Sequence, residues 1–399
     1  LYGGFYHGVT MAFDNRTLFV RTRDYKMGTV EVEAVNFAKG DFDATLVFDG
    51  KNEVKAAFRN FRATVRVPDF RLWSPSAPNL HTVALGTTGA INCAPPVRAR
   101  FGIREIKAEK KRLWLNGEIL FLKGANRHEA HPQFGAATPE ALMVQDIQLL
   151  KSPNGNFFRG CHYQQSQRFL DYCDEMGVLV WEESLGWGNK AKQLTDPEFC
   201  DLQEEETRLM ARNSINHPCV IVSAFLNEPD SDTKACKALV DRLLAALRAE
   251  DTGHLVTFAC HRNLKDICHA NTDIIAYNTY PCWYSWEMET GSSEEMRRNI
   301  RACHEEIVAY FRTRYKDNRP IIVSETGVKA DYGVRDPRGK AQYTEDHQAE
   351  YERIMLEEMF AMKDIAGVAI WQFTDCKTYT RTRGARNRSY GVNTGGLYD

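Results

Sequence analysis

The sequence predicts an α/β fold, a (β/α)8 barrel preceded by an immunoglobulin-like β-sandwich, and three observations predict it. The first part of the chain carries short runs of apolar/polar alternation, each bounded by Gly, Asp, Asn or Pro. After "FGIR" (residues 101–104) the pattern changes, and continuous apolar runs alternate with long amphipathic stretches. Those runs number eight over about 270 residues, which is the count and length of a closed parallel barrel.

The expected sandwich covers residues 9–104, where "TLFVRTR", "TVEVEAVNF", "ATLVFDG", "ATVRVPDF" and "HTVALGT" read as strands and helical periodicity is absent. The expected barrel covers residues 105–399. Its strands are "ILFLKGAN", "NFFRGC", "VLVWEES", "CVIVSAFLN", "LVTFAC", "DIIAYNTY", "PIIVSET" and "GVAIWQF". Its helices fall over residues 139–151, 166–176, 199–213, 235–249, 294–315 and 343–363. A doubly wound open sheet would also alternate strands and helices, but no GxGxxG follows any strand to support one. The chain starts at Leu1 in "LYGGFYHGV", with nothing resembling a signal peptide, and the sequence holds no stretch for the helix that a barrel's eighth strand calls for, which reads as truncation at the C-terminus. Residues 1–8 therefore read as the tail of a further domain, and the chain as a fragment of a larger protein.

Charge excludes some partners. The 51 basic and 53 acidic residues leave a net charge of -2, which gives no electrostatic reason to expect nucleic acid or an anionic membrane surface. No apolar stretch approaches the roughly 20 residues of a membrane span. Eleven cysteines are scattered singly, without a CxxC pair, so reduced thiols and a cytoplasmic setting are expected rather than a disulfide framework.

The strand ends carry the chemistry. "FLNEPD" (residues 225–230) closes a strand apolar on both faces with an amide and a carboxylate side by side. A turn would account for Asn and Pro there, but the C-terminal tips of barrel strands are where catalytic groups sit. The other tips are similar. Strand one ends in Asn126-Arg127-His128-Glu129, strand two in Arg159 to Tyr163 with His162 among them, and strand three in Glu182-Glu183. Strand six ends in Tyr280 with Trp283 and Tyr284 beyond it, strand seven in Ser324-Glu325-Thr326, and strand eight carries Trp371. One such carboxylate would mean little. Several, mixed with His, Tyr and Trp, suit a pocket that holds a polyhydroxylated ring, its apolar face on aromatics and its hydroxyls on polar groups. Glu228 and Glu325 stand nearly opposite across such a mouth, and cleaving a glycosidic bond needs a pair of this kind, one carboxyl to protonate the leaving oxygen and one to attack the anomeric carbon or activate water.

The segments "FGIREI", "LNGEILFLKGANRHEAHP", "RGCHYQQSQRFLDYCDEMGVLVWEE", "NHPCVIVSAFLNEPD", "PIIVSETG" and "GVAIWQFTD" resemble those of glycoside hydrolase family 2, in that family's order. This is the family of β-galactosidases, β-glucuronidases and β-mannosidases. The resemblance covers essentially the whole chain, and it implies that an N-terminal jelly roll is missing. It further implies that Glu228 is the general acid/base, that Asn227 binds the sugar's 2-hydroxyl, and that Glu325 is the nucleophile of a retaining mechanism. Tyr280 then matches a tyrosine that hydrogen-bonds the nucleophile, while His128, His162 and Trp371 match contacts to the nonreducing sugar, with Tyr284 beside them. No cofactor and no metal are implied. The implied partner is a carbohydrate, a β-glycoside or β-uronide conjugate, and the full-length protein is expected to form a homo-oligomer.

Which sugar is bound turns on one position. By resemblance, β-glucuronidases carry Asn-x-Lys after strand eight, where both residues grip the substrate carboxylate; here the stretch is Asn393-Thr394-Gly395. The asparagine is present and the lysine is not, so Arg383, Arg386 or Arg388 is expected to supply the cation, since a guanidinium binds carboxylate bidentately. The uronidase branch is favoured over a neutral β-galactosidase, with a catalytically silent sugar-binding module as a further alternative.

Other features have plainer readings. In "HEAHP" the histidines are three apart on a loop, unlike the four-residue helical spacing of a zinc HExxH. Arg127 and Arg159 are expected to pair with barrel carboxylates beneath the pocket, and Glu182 and Glu183 to support it from behind. Trp187 and Trp283 either pack loops or line a sugar subsite. The arginines of "RTRGARNR" read as a solvated loop.

Overall fold

Alternating burial along the N-terminal strands builds two facing antiparallel sheets. A computed structural model describes residues 15–86, 96–283, 292–378 and 391–398. Its first sheet has the order β1 (Thr17–Asp24), β2 (Thr29–Val35), β5 (Arg62–Arg66). The second runs β4 (Asn52–Phe58), β3 (Phe42–Phe48), β6 (His81–Leu85), β7 (Val97–Phe101). Val20, Val32 and Val65 of the first sheet share one core with Phe48, Phe58 and Phe101 of the second. Two of these strands were not expected. β4 is "NEVKAAF", whose inward face holds little besides Ala56 and Phe58, and β7 is "VRARF"; charged outward residues mask the alternation in both.

A three-stranded antiparallel sheet follows, β8 (Ile106–Glu109), β9 (Arg112–Leu115) and β10 (Glu118–Leu120). It corrects the expectation that "ILFLKGAN" is one strand: Ile119 and Leu120 pair with β9, and the barrel begins at Leu122.

The closed parallel barrel consists of β11 (Leu122–Arg127), β12 (Phe157–Gly160), β13 (Leu179–Glu183), β14 (Val220–Asn227), β15 (Leu255–Cys260), β16 (Ile275–Asn278), β17 (Ile321–Thr326) and β18 (Ile365–Ile370). Every residue of β14 is buried, as expected for a strand covered on both faces. Around it lie α1 (Glu140–Lys151), α2 (Gln167–Met176), the single turn α3 (Ala191–Leu194), α4 (Pro197–Asn213), α5 (Lys234–Glu250), α6 (Ser293–Tyr315) and α7 (Glu345–Ala361). Their starts are fixed by side-chain caps. Thr233, Ser292 and Thr344 each accept from the N–H three residues on, and Asp196 accepts from Glu198 ahead of Pro197. No helix among the described residues is long and apolar enough to cross a membrane.

Sandwich and barrel are tied by buried charge. Arg21 of β1 donates to Glu33 at 2.7 Å, and Arg212 of α4 reaches both Glu33 at 2.8 Å and Glu250 of α5 at 3.1 Å. Arg104, in the connection, donates to the backbone carbonyls of Pro218, Val220 and Gly253 at the entry to β14 and β15. The ten described cysteines all carry free thiols.

Candidate active site

The C-terminal ends of the barrel strands converge on one guanidinium. Arg159, at the end of β12 and fully buried, donates to Glu183 of β13 at 2.8 Å, Asn126 of β11 at 2.8 Å, Asn227 of β14 at 2.9 Å and Glu325 of β17 at 2.7 Å. Asn126 passes the connection on, donating to the carbonyls of Ser324, Ala369 and Ile370. Arg159 was expected to pair with carboxylates beneath the pocket, and it does so while also holding Glu325 itself.

Glu325 is 4% exposed. Its Oε1 faces Arg159, with His162 Nε2 at 3.6 Å, and its Oε2 accepts from the Tyr280 hydroxyl at 2.6 Å. Burial pushes this carboxyl above its ordinary value, against the pull of Arg159, His162 and Tyr280, and the Glu228 charge adds to the rise. Glu228 is half-buried one residue past β14. Asn278, at the end of β16, donates to both Glu228 Oε1 and Asn227 Oδ1 at 3.0 Å, and itself accepts from Ser324 at 2.7 Å. Glu228 and Glu325 thus hang from one polar network. Asn227 Oδ1 accepts from Arg159 and Asn278, which fixes which end of that amide is the donor. The chain bends sharply here: Leu226 and Glu228 take φ of 49° and 53°, in the left-handed region that non-glycine residues rarely adopt. The loop after β13 laces onto the bend, with Asn227 donating to Gly186 and Gly188 donating to Asn227, both at 2.7 Å.

Aromatics form the next wall. Trp371 stacks on His162 at 5.5 Å between ring centroids and meets His128 edge-on at 5.3 Å. Burial, together with the His162 and Arg159 charges, lowers His128 to about 3, so its imidazole is neutral and can donate to or accept from a hydroxyl. His162 Nδ1 lies 3.0 Å from Glu183 Oε2; although burial pushes Glu183 up, Arg159 and His162 hold it below its ordinary value. Glu182 instead takes hydrogen bonds from Ser214 and Gln165 behind the wall, and burial raises it to about 7. Arg127 points away from the mouth, donating to Asp146 at 2.9 Å and lying 3.8 Å over the Phe169 ring.

Of the two tryptophans left open, Trp283 is buried against Tyr343, ring centroids 5.0 Å apart. Trp187 stands 58% exposed at the rim, 6.5 Å from His162. His131 accepts from the Gln133 and Phe134 N–H groups within its own loop, apart from His128. Tyr284, Arg383, Arg386 and Arg388 lie outside the described residues.

Two site residues had not been singled out from the sequence. Asn278 sits in "AYNTY" just before Tyr280, where an amide next to a turn attracts no notice. Lys329, four residues past Glu325, is 6% exposed and donates to Asn393 Oδ1 at 2.9 Å. His128, Cys161 and His162 place ligand-type atoms within 4.8 Å of one another. The Arg159 and Arg127 charges act on His128 there and disfavour a further cation beside it.

Known proteins bear on this arrangement. Residues 106–388 match the family described as "Glycosyl hydrolases family 2, TIM barrel domain". The chain is 28% identical over 364 residues to a β-glucuronidase of Canis lupus familiaris, covering 87% of this chain and 54% of that protein. It is 26% identical over 353 residues to the β-glucuronidase of Homo sapiens, covering 83% of this chain and 51% of that protein. It therefore spans about half the length of the curated relatives it matches. Among solved structures, a GH2 β-galacturonidase from Eisenbergiella tayi bound to galacturonate superposes with a TM-score of 0.81 at 28% identity, over 92% of this chain and 66% of that one. With the barrel, the strand-end network and a family match over most of its length in hand, the chain belongs to glycosyl hydrolases family 2.

Proposed function

We propose that this chain is the catalytic part of a retaining exo-β-glycosidase acting on a terminal β-linked hexuronide. The observation that carries the reading is the shared network of Glu228 and Glu325, one half-buried beside Asn278, the other buried between Arg159 and Tyr280. Glu325, held by two donors that favour its charged form, attacks the anomeric carbon. Glu228 gives its proton to the glycosidic oxygen, and the alcohol departs. In the second half, Glu228 takes a proton from water as the water attacks the glycosyl–Glu325 ester, and the sugar leaves with its configuration retained. His128, His162 and Trp371 line the sugar, and Asn227 takes its 2-hydroxyl.

The names of the relatives, β-glucuronidases and a β-galacturonidase, support a uronide. Gly395, at the position where the resemblance implies lysine, favours the second reading, a β-galactosidase acting on neutral β-galactosides. The full-length protein should be assayed on a panel of nitrophenyl β-hexosides and β-hexuronides, with the product anomer followed by NMR. A β-uronide cleaved with retention is the expected result. Turnover confined to neutral galactosides selects the second reading, an inverted product removes the double displacement, and binding without turnover selects a silent sugar-binding module.

A further inference from the structure

We infer that Lys329, with Asn393, supplies the cation for the substrate's carboxylate, in place of the arginines at 383–388; this rests on the uronide reading above. In a pyranuronate the carboxyl hangs from C5, and one ring oxygen separates C5 from the anomeric carbon. A group that grips it must therefore stand within one sugar's reach of Glu325.

A chain of contacts leads from Lys329 to Glu325. The loop after β17 is tied to residues 393–395, where Ala330 donates to the Thr394 carbonyl at 3.2 Å, and Gln372, just past β18, donates to the Gly395 carbonyl at 2.7 Å. This brings the Lys329 ammonium to 2.9 Å from Asn393 Oδ1 in a buried position. Asn393 in turn adjoins the tryptophan wall. A Cβ placed on Gly395 would lie 3.6 Å from Asn393 Oδ1 and 3.7 Å from Trp371 Nε1. Trp371 stacks on His162, whose Nε2 is 3.6 Å from Glu325. Lys329, Asn393, Trp371, His162 and Glu325 follow one another around a single pocket wall.

Two details suit the role. Donation to the Asn393 amide fixes where the ammonium stands. Gly395 carries no side chain, so the space beside Asn393 and Trp371 stays open for a substrate group. A lysine arriving from the β17 loop thus offers the same ammonium that the sequence pattern fails to supply after β18, and a buried carboxylate needs such a partner.

The test uses the full-length protein, with the preferred nitrophenyl β-uronide and its uronamide, which differ only in charge and one heavy atom. Lys329→Met should lower kcat/KM on the uronide roughly 30-fold or more, the range for stranding one member of a buried charge pair, and leave the uronamide within about threefold. Lys329→Arg should restore part of the uronide preference, which loss of packing alone would not allow. Should Lys329→Met fail to fold, Lys329→Gln carries the same comparison. An unchanged uronide-to-uronamide ratio in the folded variant overturns the assignment, as does a uronide-specific loss in Arg386→Met or Arg388→Met instead. Wild-type protein that ignores uronides altogether removes the substrate reading itself, a result distinct from a failed lysine variant.

Discussion

The Tyr280 hydroxyl donates to Oε2 of Glu325 at 2.6 Å, on the opposite side of the carboxylate from Arg159. A hydrogen bond to an ionised group contributes roughly 1.5–3 kcal/mol, and this one favours the charged form. Tyr280→Phe should therefore lower kcat/KM by roughly 10- to 150-fold. It should also move the acid limb of the pH profile upward. Tyr280 is among the groups that pull Glu325 down, so without it the carboxyl stays protonated to a higher pH. An acid limb that does not move would mean the contact is structural.

The two carboxylates should separate by leaving group. Glu325→Ala is expected to stop turnover of every substrate, and added azide should then yield the α-glycosyl azide. Glu228→Ala should spare the first step on activated phenols, which leave without a proton, and stop it on alkyl aglycones. Pre-steady-state release of the phenol reads that step directly, and equal loss on both leaving-group classes would argue against Glu228 as the acid.

Arg159 makes a stability prediction as well as a functional one. Removing it strands Glu183 and Glu325 in a fully buried site, along with the Asn126 and Asn227 amides. Arg159→Met should cost about 3–5 kcal/mol in urea unfolding. Adding Glu183→Gln to it should cost less than the sum of the two single changes, because one stranded charge disappears. Strict additivity would mean that Arg159 and Glu183 do not interact in solution.

The barrel was legible because its strands are buried on both faces and read as unbroken apolar runs, Val220 to Leu226 above all. Polar residues at the ends of such runs stand out, which is why Glu228, Glu325, His162 and Tyr280 could be named in advance. What escaped has a different physical basis. β8 to β10 lie within 15 residues, too short and mixed for a clean period, and β4 alternates around alanines. Lys329 was invisible for another reason. In "GVKADYG" it reads as loop, and its meaning comes from Asn393, 64 residues away, a contact that no local pattern encodes. Asn278 likewise matters only because β14 and β16 bring it between Asn227 and Glu228.

A last prediction concerns the acid behind the β17 loop. Glu352 of α7 is buried beneath Gly327, where an added Cβ would lie 3.1 Å from its Oε1 and 2.5 Å from the Trp371 carbonyl oxygen. Burial raises this carboxyl to about 8, against the pull of the Val328 backbone N–H, while Glu182 behind the histidines is raised to about 7. In the unfolded chain both would titrate near 4.5. The folded protein therefore holds more protons than the unfolded one between these values, and stability must fall as pH rises through that window. The contribution is complete below about pH 4.5 and lost as pH passes through about 7 for Glu182 and about 8 for Glu352. Glu352→Gln keeps the shape and removes the titration. Its stability relative to the parent should rise between about pH 5 and 9, by on the order of 1–3 kcal/mol, when urea midpoints are compared across that range. A difference independent of pH would mean that Glu352 is already ionised in the folded protein, and that the support beneath Gly327 is a charge rather than a neutral acid.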